Sequence, residues 1–238
     1  MLLAWPDLAV AAGAVAVGYT LFGFGGFGAN IVSLPLLAHM VPLRFAVPMM
    51  LVLDLAASAF TGLRQRELIA VDEVRRLLPW LLGGMIAGAT LLVRAGEEVL
   101  LALLGSFVVL VAGWSLWSSR HGGTGGPPAS TAWGRPAGLV GGVFSALFGS
   151  GGPVYTLYLA RRLAERARLR ATVATLILGA ALTRGVLFIA NGLLMQPGLL
   201  ATSMALLPAV AVLELVGLAA LGLVDNIYSL RRKGRELV

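Results

Sequence analysis

The sequence predicts an all-α integral membrane protein made of two inverted-topology repeats, each a glycine-broken re-entrant helical hairpin followed by transmembrane helices. Three observations carry this expectation: an apolar composition, a duplicated glycine motif, and a one-sided distribution of arginine. Of the 238 residues, 58% are hydrophobic and 12% charged, and the mean hydropathy is +0.90. A soluble globule of this length cannot bury so much apolar surface.

Taken in order, the region Pro6 to Met40 is apolar but interrupted by glycines. Its opening, MLLAWPDLAVAAGAVAVG, has no basic n-region and carries Asp7, so it reads as the start of the mature fold, not as a cleaved signal peptide. Unbroken apolar runs follow at Arg44 to Leu63, Leu77 to Val93 and Val99 to Leu116. Each approaches the roughly 20 residues that cross a ~30 Å hydrocarbon core as a helix. The segment SRHGGTGGPPASTAWGR, residues 119–135, has the Gly, Pro and Ser content of a linker. Beyond it, Pro136 to Ala160 is again apolar and glycine-broken, and Ala171 to Ala190 and Leu199 to Val224 are further spans. The expected organisation is a first membrane repeat over 1–118, a linker over 119–135, and a second membrane repeat over 136–238.

The repeat is visible at an offset of 126 residues, where Leu21-Phe22-Gly23-Phe24-Gly25-Gly26 pairs with Leu147-Phe148-Gly149-Ser150-Gly151-Gly152. The same offset matches Leu43, Arg44 and Val47 with Leu169, Arg170 and Val173. An offset of 129 matches Pro79 with Pro208 and Gly88 with Gly217. The first copy, GFGGFG, satisfies the spacing of a dinucleotide-binding turn. No strand precedes it, and the second copy loses the final glycine, so the spacing is incidental and no cofactor is expected. The second half stops at Val238, where a counterpart of Val99 to Leu116 would follow, so the second repeat is expected to lack its last helix, by natural absence or by truncation.

Net charge is +7 and the pI is near 11.0, yet 17 of the 18 basic residues are arginines, nearly all in short loops between apolar runs. That is a topology signal, not a nucleic-acid surface. If every apolar segment crosses, the loop basic residues divide six to eleven. If each L-F-G-x-G-G segment instead enters and turns back, Arg44 and Arg94 stand alone on one side against fifteen basic residues on the other, with Arg184 inside a span. The second arrangement satisfies the positive-inside rule. It places the linker and residues 225–238 in the cytoplasm, with Trp80, Trp114, Trp117 and Trp133 near that interface.

The recurring glycine hairpins, the L-R-x-x-V entry to the next helix and the P…G helix after it resemble the TauE/SafE sulfite exporter family over nearly the whole chain. The resemblance implies a small bacterial inner-membrane carrier for sulfite, sulfonates or related organosulfur anions. It leaves the particular anion open, as members differ.

The residues themselves support an anion site. Helices that start after the two glycine turns, near Phe27 to Asn30 and Pro153 to Thr156, would aim free N–H groups and positive dipole ends at a central point. Gly25, Gly26, Gly151 and Gly152 would allow close backbone approach to a sulfur oxyanion, and Asn30, Ser150, Tyr155 and Thr156 would donate side-chain hydrogen bonds. The alternative is that these small residues only let helices touch. Arg184, in LILGAALTRGVLFIANG, costs at least ~2.5 kcal/mol at mid-bilayer unless it meets an anion. That anion is substrate, Asp54 on the symmetry-related span, or Glu214 on the next. Asp54 and Glu214 are also the candidates for proton coupling, against a purely structural role for each. The expected partners are a small anionic substrate and the lipid bilayer, with a homo-oligomer left open and no nucleic acid.

His39 and His121 have no partner at ligand or triad spacing, and there is no cysteine, no H-E-x-x-H and no G-x-S-x-G. The chain is therefore expected to bind no metal and not to be an enzyme. Two further readings stand beside the carrier: a passive anion channel, which would need no alternating gates, and a membrane accessory or scaffold subunit, which would need no site.

Overall fold

The computed structural model describes residues 5–25, 29–61, 66–120 and 130–208, with Val210 and Val212. It is helical throughout, with no strand among the described residues. Helix α1 (Trp5–Gly25) and the nine-residue α2 (Ala29–Leu37) form the first glycine-broken pair, followed by α3 (Leu43–Thr61), α4 (Val71–Arg94) and α5 (Glu97–Arg120). Helix α6 (Gly134–Phe148) and the nine-residue α7 (Gly152–Ala160) form the second, followed by α8 (Arg166–Ala190) and α9 (Leu199–Pro208). The second break therefore falls at its L-F-G-x-G-G motif, and α1 ends within the first copy of that motif, at Gly25. Gly26, most of the linker, Glu214 and the rest of the last span lie outside the described residues.

Three helices are long and apolar enough to cross a membrane: α4, residues 97–117 of α5, and residues 167–190 of α8. The outward faces are apolar. On α5, Val109 and Leu110 are each 70% exposed, and on α8 Val186 is 67% exposed. A soluble protein would hide such continuous apolar surface, whereas a bilayer covers it.

The interior does not divide at the linker. One core cluster joins α1, α2, α3 and α5 with Leu147, Phe148, Ala181 and Phe188 of the second half, and another joins α4 with α6, α7 and α8. The most extensive helix–helix contact is the α4–α6 pair, built on glycines that face each other across the seam. A Cβ on Gly84 or Gly142 would collide with the backbone carbonyl of Leu139 or Leu81, and one on Gly138 would lie 2.9 Å from the carbonyl oxygen of Leu77. Within a membrane, where lipid supplies no hydrophobic drive between helices, such close backbone contact supplies the dispersion energy that holds the pair together. In the first hairpin, Ser33 plays a related part. Its hydroxyl donates to the carbonyl of Ala14 at 3.0 Å and packs over Gly18, fastening α2 to α1.

The end of the fold that carries Arg44 and Arg94 is tied by side chains to backbone. Arg44 donates from Nε to the Leu92 carbonyl at 3.1 Å and from Nη2 to the Ala95 carbonyl at 2.6 Å. The Leu43 N–H donates to Glu97 Oε1 at 2.6 Å, and Gln196 Nε2 donates to the Arg44 carbonyl at 2.8 Å. Arg44 thereby satisfies carbonyls at the C-terminal end of α4 that have no helical partner, where a cation is favoured. Replacing Arg44 with Met removes two charged hydrogen bonds while keeping most of the apolar stem. The expected loss is about 2 kcal/mol, read as a lower thermal midpoint in detergent. An unchanged midpoint would show these bonds to be exchangeable with water.

Candidate functional site

A cavity of about 40 Å³ lies where the two broken hairpins meet α3 and α8. The first residues of both half-helices line it: Ala29 and Asn30 of α2, Gly152 and Pro153 of α7. These are the ends at which backbone N–H groups lack helical partners and the dipole is positive. The remaining wall comes from Asp54 of α3, Ser145 of α6, Gly149 and Ser150 in the second break, Tyr155 of α7, and Ile177, Ala180, Ala181 and Arg184 of α8.

Arg184 organises this space. It is 3% exposed, and its Nη2 donates to Asp54 Oδ2 at 2.8 Å. Its Nη1 donates to the Ser145 carbonyl at 3.2 Å, in the last turn of α6, where a positive charge meets the negative end of the helix. Asp54 is in turn held from two further sides. Tyr19 Oη donates to Oδ1 at 2.7 Å, and Asn30 Nδ2 donates to Oδ2 at 2.9 Å. Four helices, α1, α2, α3 and α8, thus converge on one carboxylate, which explains how a membrane-embedded arginine is tolerated.

The break after α6 makes room for this arrangement. Gly149 adopts a left-handed conformation with φ +67°, closing α6 with its N–H donating to the Ser145 carbonyl at 2.9 Å. A Cβ there would run into both Arg184 Nη1 and Asn30 Nδ2, so the absence of a side chain lets those two groups lie against the turn. Two polar atoms in the site stay without a hydrogen-bond partner among the described residues: the donor Arg184 Nε and the acceptor Asn30 Oδ1. Unpaired buried polar atoms are costly, and two beside one cavity mark where a polar guest would be stabilised.

Of the residues expected from sequence, Asn30, Asp54, Ser150, Gly152, Tyr155 and Arg184 line the cavity. Gly25 is the last residue of α1. Gly151 does not line it; a Cβ there would meet Ser145 Oγ and the Gly141 carbonyl, so this glycine serves hairpin packing. Thr156 also stands away from it, with a buried hydroxyl that has no partner among the described residues. Gly26 and Glu214 lie outside the described residues. Tyr19, Ser145 and Gly149 join the site without being expected there from sequence. Gly149 has a signal, since it is the third residue of L-F-G-x-G-G in the second repeat, whereas Tyr19 and the Ser145 carbonyl have none. No group of three or more metal-ligating side chains occurs among the described residues.

Residues 10–230 match the family model described as Sulfite exporter TauE/SafE. The chain belongs to this family. A curated relative of this TauE/SafE protein, the probable inner membrane transporter protein TsaS of Comamonas testosteroni, is 29% identical over 143 residues. The matched stretch spans 59% of this chain and 58% of that relative. No solved structure matches the chain. As a TauE/SafE protein with several apolar helices, it is a multi-pass protein of the inner membrane. Both descriptions are of transporters, not of enzymes.

Proposed function

We propose that this protein is a carrier that exports a small sulfur-containing anion, sulfite, a sulfonate or a related organosulfur anion, from the cytoplasm by alternating access. The observation that carries the reading is the central cavity, where two half-helix N-termini and the buried Arg184 face one small space. A volume of about 40 Å³ suits a small ion with little water and is too small for a large organic ligand. An oxyanion would accept from Arg184 Nε and from backbone N–H groups at Asn30 and Gly152, without needing a second buried cation.

In this state Asp54 holds the Nη2 arm of Arg184, so substrate and Asp54 would compete for one guanidinium. That competition gives transport a natural two-state element: Arg184 bound to Asp54 when empty, and shared with the anion when loaded. Protonation of Asp54 would release the arginine, which makes Asp54 the proposed coupling residue. Asn30 Oδ1 calls for a donor, which a hydrated or protonated oxyanion provides. The two-fold recurrence of break, half-helix and following span supports an inverted repeat, with the arginine-rich side cytoplasmic.

The test is efflux of sulfite and simple sulfonates from proteoliposomes, comparing the native chain with Arg184→Ala under an imposed pH gradient. The expected result is saturable flux that is lost in the variant and that responds to the gradient in the native protein. Absence of flux above empty liposomes for every anion would retire the carrier reading. Equal flux in Arg184→Ala would remove the central site from it.

A further inference from the structure

The fold carries a second concentration of positive charge, away from the central cavity. A wide cleft of about 840 Å³ opens where the starts of α4 and α8 meet the turn after α7. Arg75, Arg76, Arg162 and Arg168 line it, against the two acids Asp72 and Glu73. Glu73 is buried and saturated. Its Oε1 accepts from Arg76 Nη1 at 2.9 Å and from Arg162 Nη2 at 2.8 Å, and its Oε2 accepts from Tyr158 Oη at 2.8 Å. Arg75 and Arg168 are exposed and have no ion-pair partner among the described residues. The cleft therefore holds an excess of arginine that its own carboxylates do not neutralise.

Its depth relative to a membrane follows from α4. Arg75 and Arg94 lie at opposite ends of this helix, about 28 Å apart at 1.5 Å per residue, close to the thickness of the hydrocarbon core. The cleft thus sits at headgroup level. Aromatic residues agree. Trp80, just over one turn from Arg75, is 41% exposed with the Arg135 guanidinium 5.8 Å above its ring, and Trp133 beside it on the chain is 66% exposed. Such tryptophans mark the membrane–water interface.

We propose that this cleft binds the phosphate of an anionic lipid headgroup, with Arg75 and Arg168 as the principal contacts and the Glu73-bound Arg76 and Arg162 as its floor. Planar guanidinium forks match phosphate oxygens, and basic pockets between transmembrane helices at the interface select charged headgroups. The opening is far roomier than the central cavity, which fits a headgroup that stays partly hydrated better than a stripped ion. The site is independent of the transport reading and stands if that reading fails.

The test uses the full chain in detergent, with thermal unfolding as readout on addition of phosphatidylglycerol, phosphatidylcholine or inorganic phosphate. Phosphatidylglycerol is expected to raise the midpoint and phosphatidylcholine to leave it unchanged. The Arg75→Gln/Arg168→Gln double variant should weaken the apparent affinity for phosphatidylglycerol roughly 30-fold. Arg75→Lys/Arg168→Lys, which keeps the charge but not the planar fork, should give a response between those of the native chain and the glutamine variant and shows that the positions tolerate substitution. If millimolar inorganic phosphate reproduces the shift and the glutamine variant abolishes it, the phosphate chemistry stands and the soluble ion, not lipid, is the occupant. Equal responses to the two lipids, or an undiminished response in the glutamine variant, would overturn the proposal.

Discussion

Asp54→Asn and Arg184→Ala are each expected to cost about 3 kcal/mol of stability, and the double variant to cost much less than their sum. Either single change leaves one charge in a site that water does not reach well, since the Arg184 side chain is 3% and that of Asp54 18% exposed. Breaking a buried pair from one side is far more damaging than removing both partners, because the penalty comes from the orphaned charge. The coupling energy should therefore reach about 2 kcal/mol or more. Thermal unfolding of the four proteins in the same detergent measures it. The double variant should fold well and carry no saturable anion flux, which separates the structural duty of the pair from its proposed part in transport. Additive losses would show that the two groups are individually solvated and that Arg184 is not waiting on an exchangeable partner.

Replacing Gly149 with Ala is expected to abolish transport and to cost about 3 kcal/mol. Left-handed backbone at φ +67° costs a non-glycine residue roughly 1 kcal/mol. The larger share arises because the new methyl takes the space of Arg184 Nη1 and Asn30 Nδ2, forcing both from their hold on Asp54 and the α6 carbonyl. Gly192 provides the internal control, with φ +69° and nothing within 4 Å of where an alanine methyl would sit. Gly192→Ala should show the backbone cost alone, about 1 kcal/mol, with flux intact. If the two variants behave alike, the close fit of the turn against Arg184 has no energetic meaning.

The long helices were legible because an apolar run of about 20 residues has one solution in a bilayer, and the break after α6 was legible because the glycine motif recurs. Arg184 announced itself as a cation in an apolar run, and the repeat offset put Asp54 opposite Ala180, one turn from Arg184, which made Asp54 one of three candidate partners beside substrate and Glu214. What sequence could not supply was the rest of the network. Tyr19 lies on α1 with nothing to distinguish it from a lipid-facing tyrosine, and its partner is 35 residues away. The Ser145 carbonyl is backbone and leaves no trace in residue type. Among the motif glycines, sequence drew attention to the paired Gly151 and Gly152, whereas the turn that admits Arg184 is Gly149, because only the folded chain shows which glycine takes the left-handed conformation. The arginine cleft was counted as a topology signal, and its assembly from α4 and α8 needed the tertiary structure.

The glycine seam between α4 and α6 has a consequence for how the protein is made. During synthesis α4 enters the bilayer while α6, on the far side of the linker, has not yet emerged. Until it does, Gly84 and Gly88 have no partner backbone and present only a shallow notch to lipid. The first five helices are thus an unfinished object, held in the membrane by their hydrophobicity but without the contact that fixes α4. The chain becomes a single body only when α6 slots into that notch, and the same event brings the Gly149 turn to the place where Arg184 will arrive with α8. Insertion order and site assembly are one process, so a ribosome pausing in the linker would leave behind a protein that is inserted but has no centre.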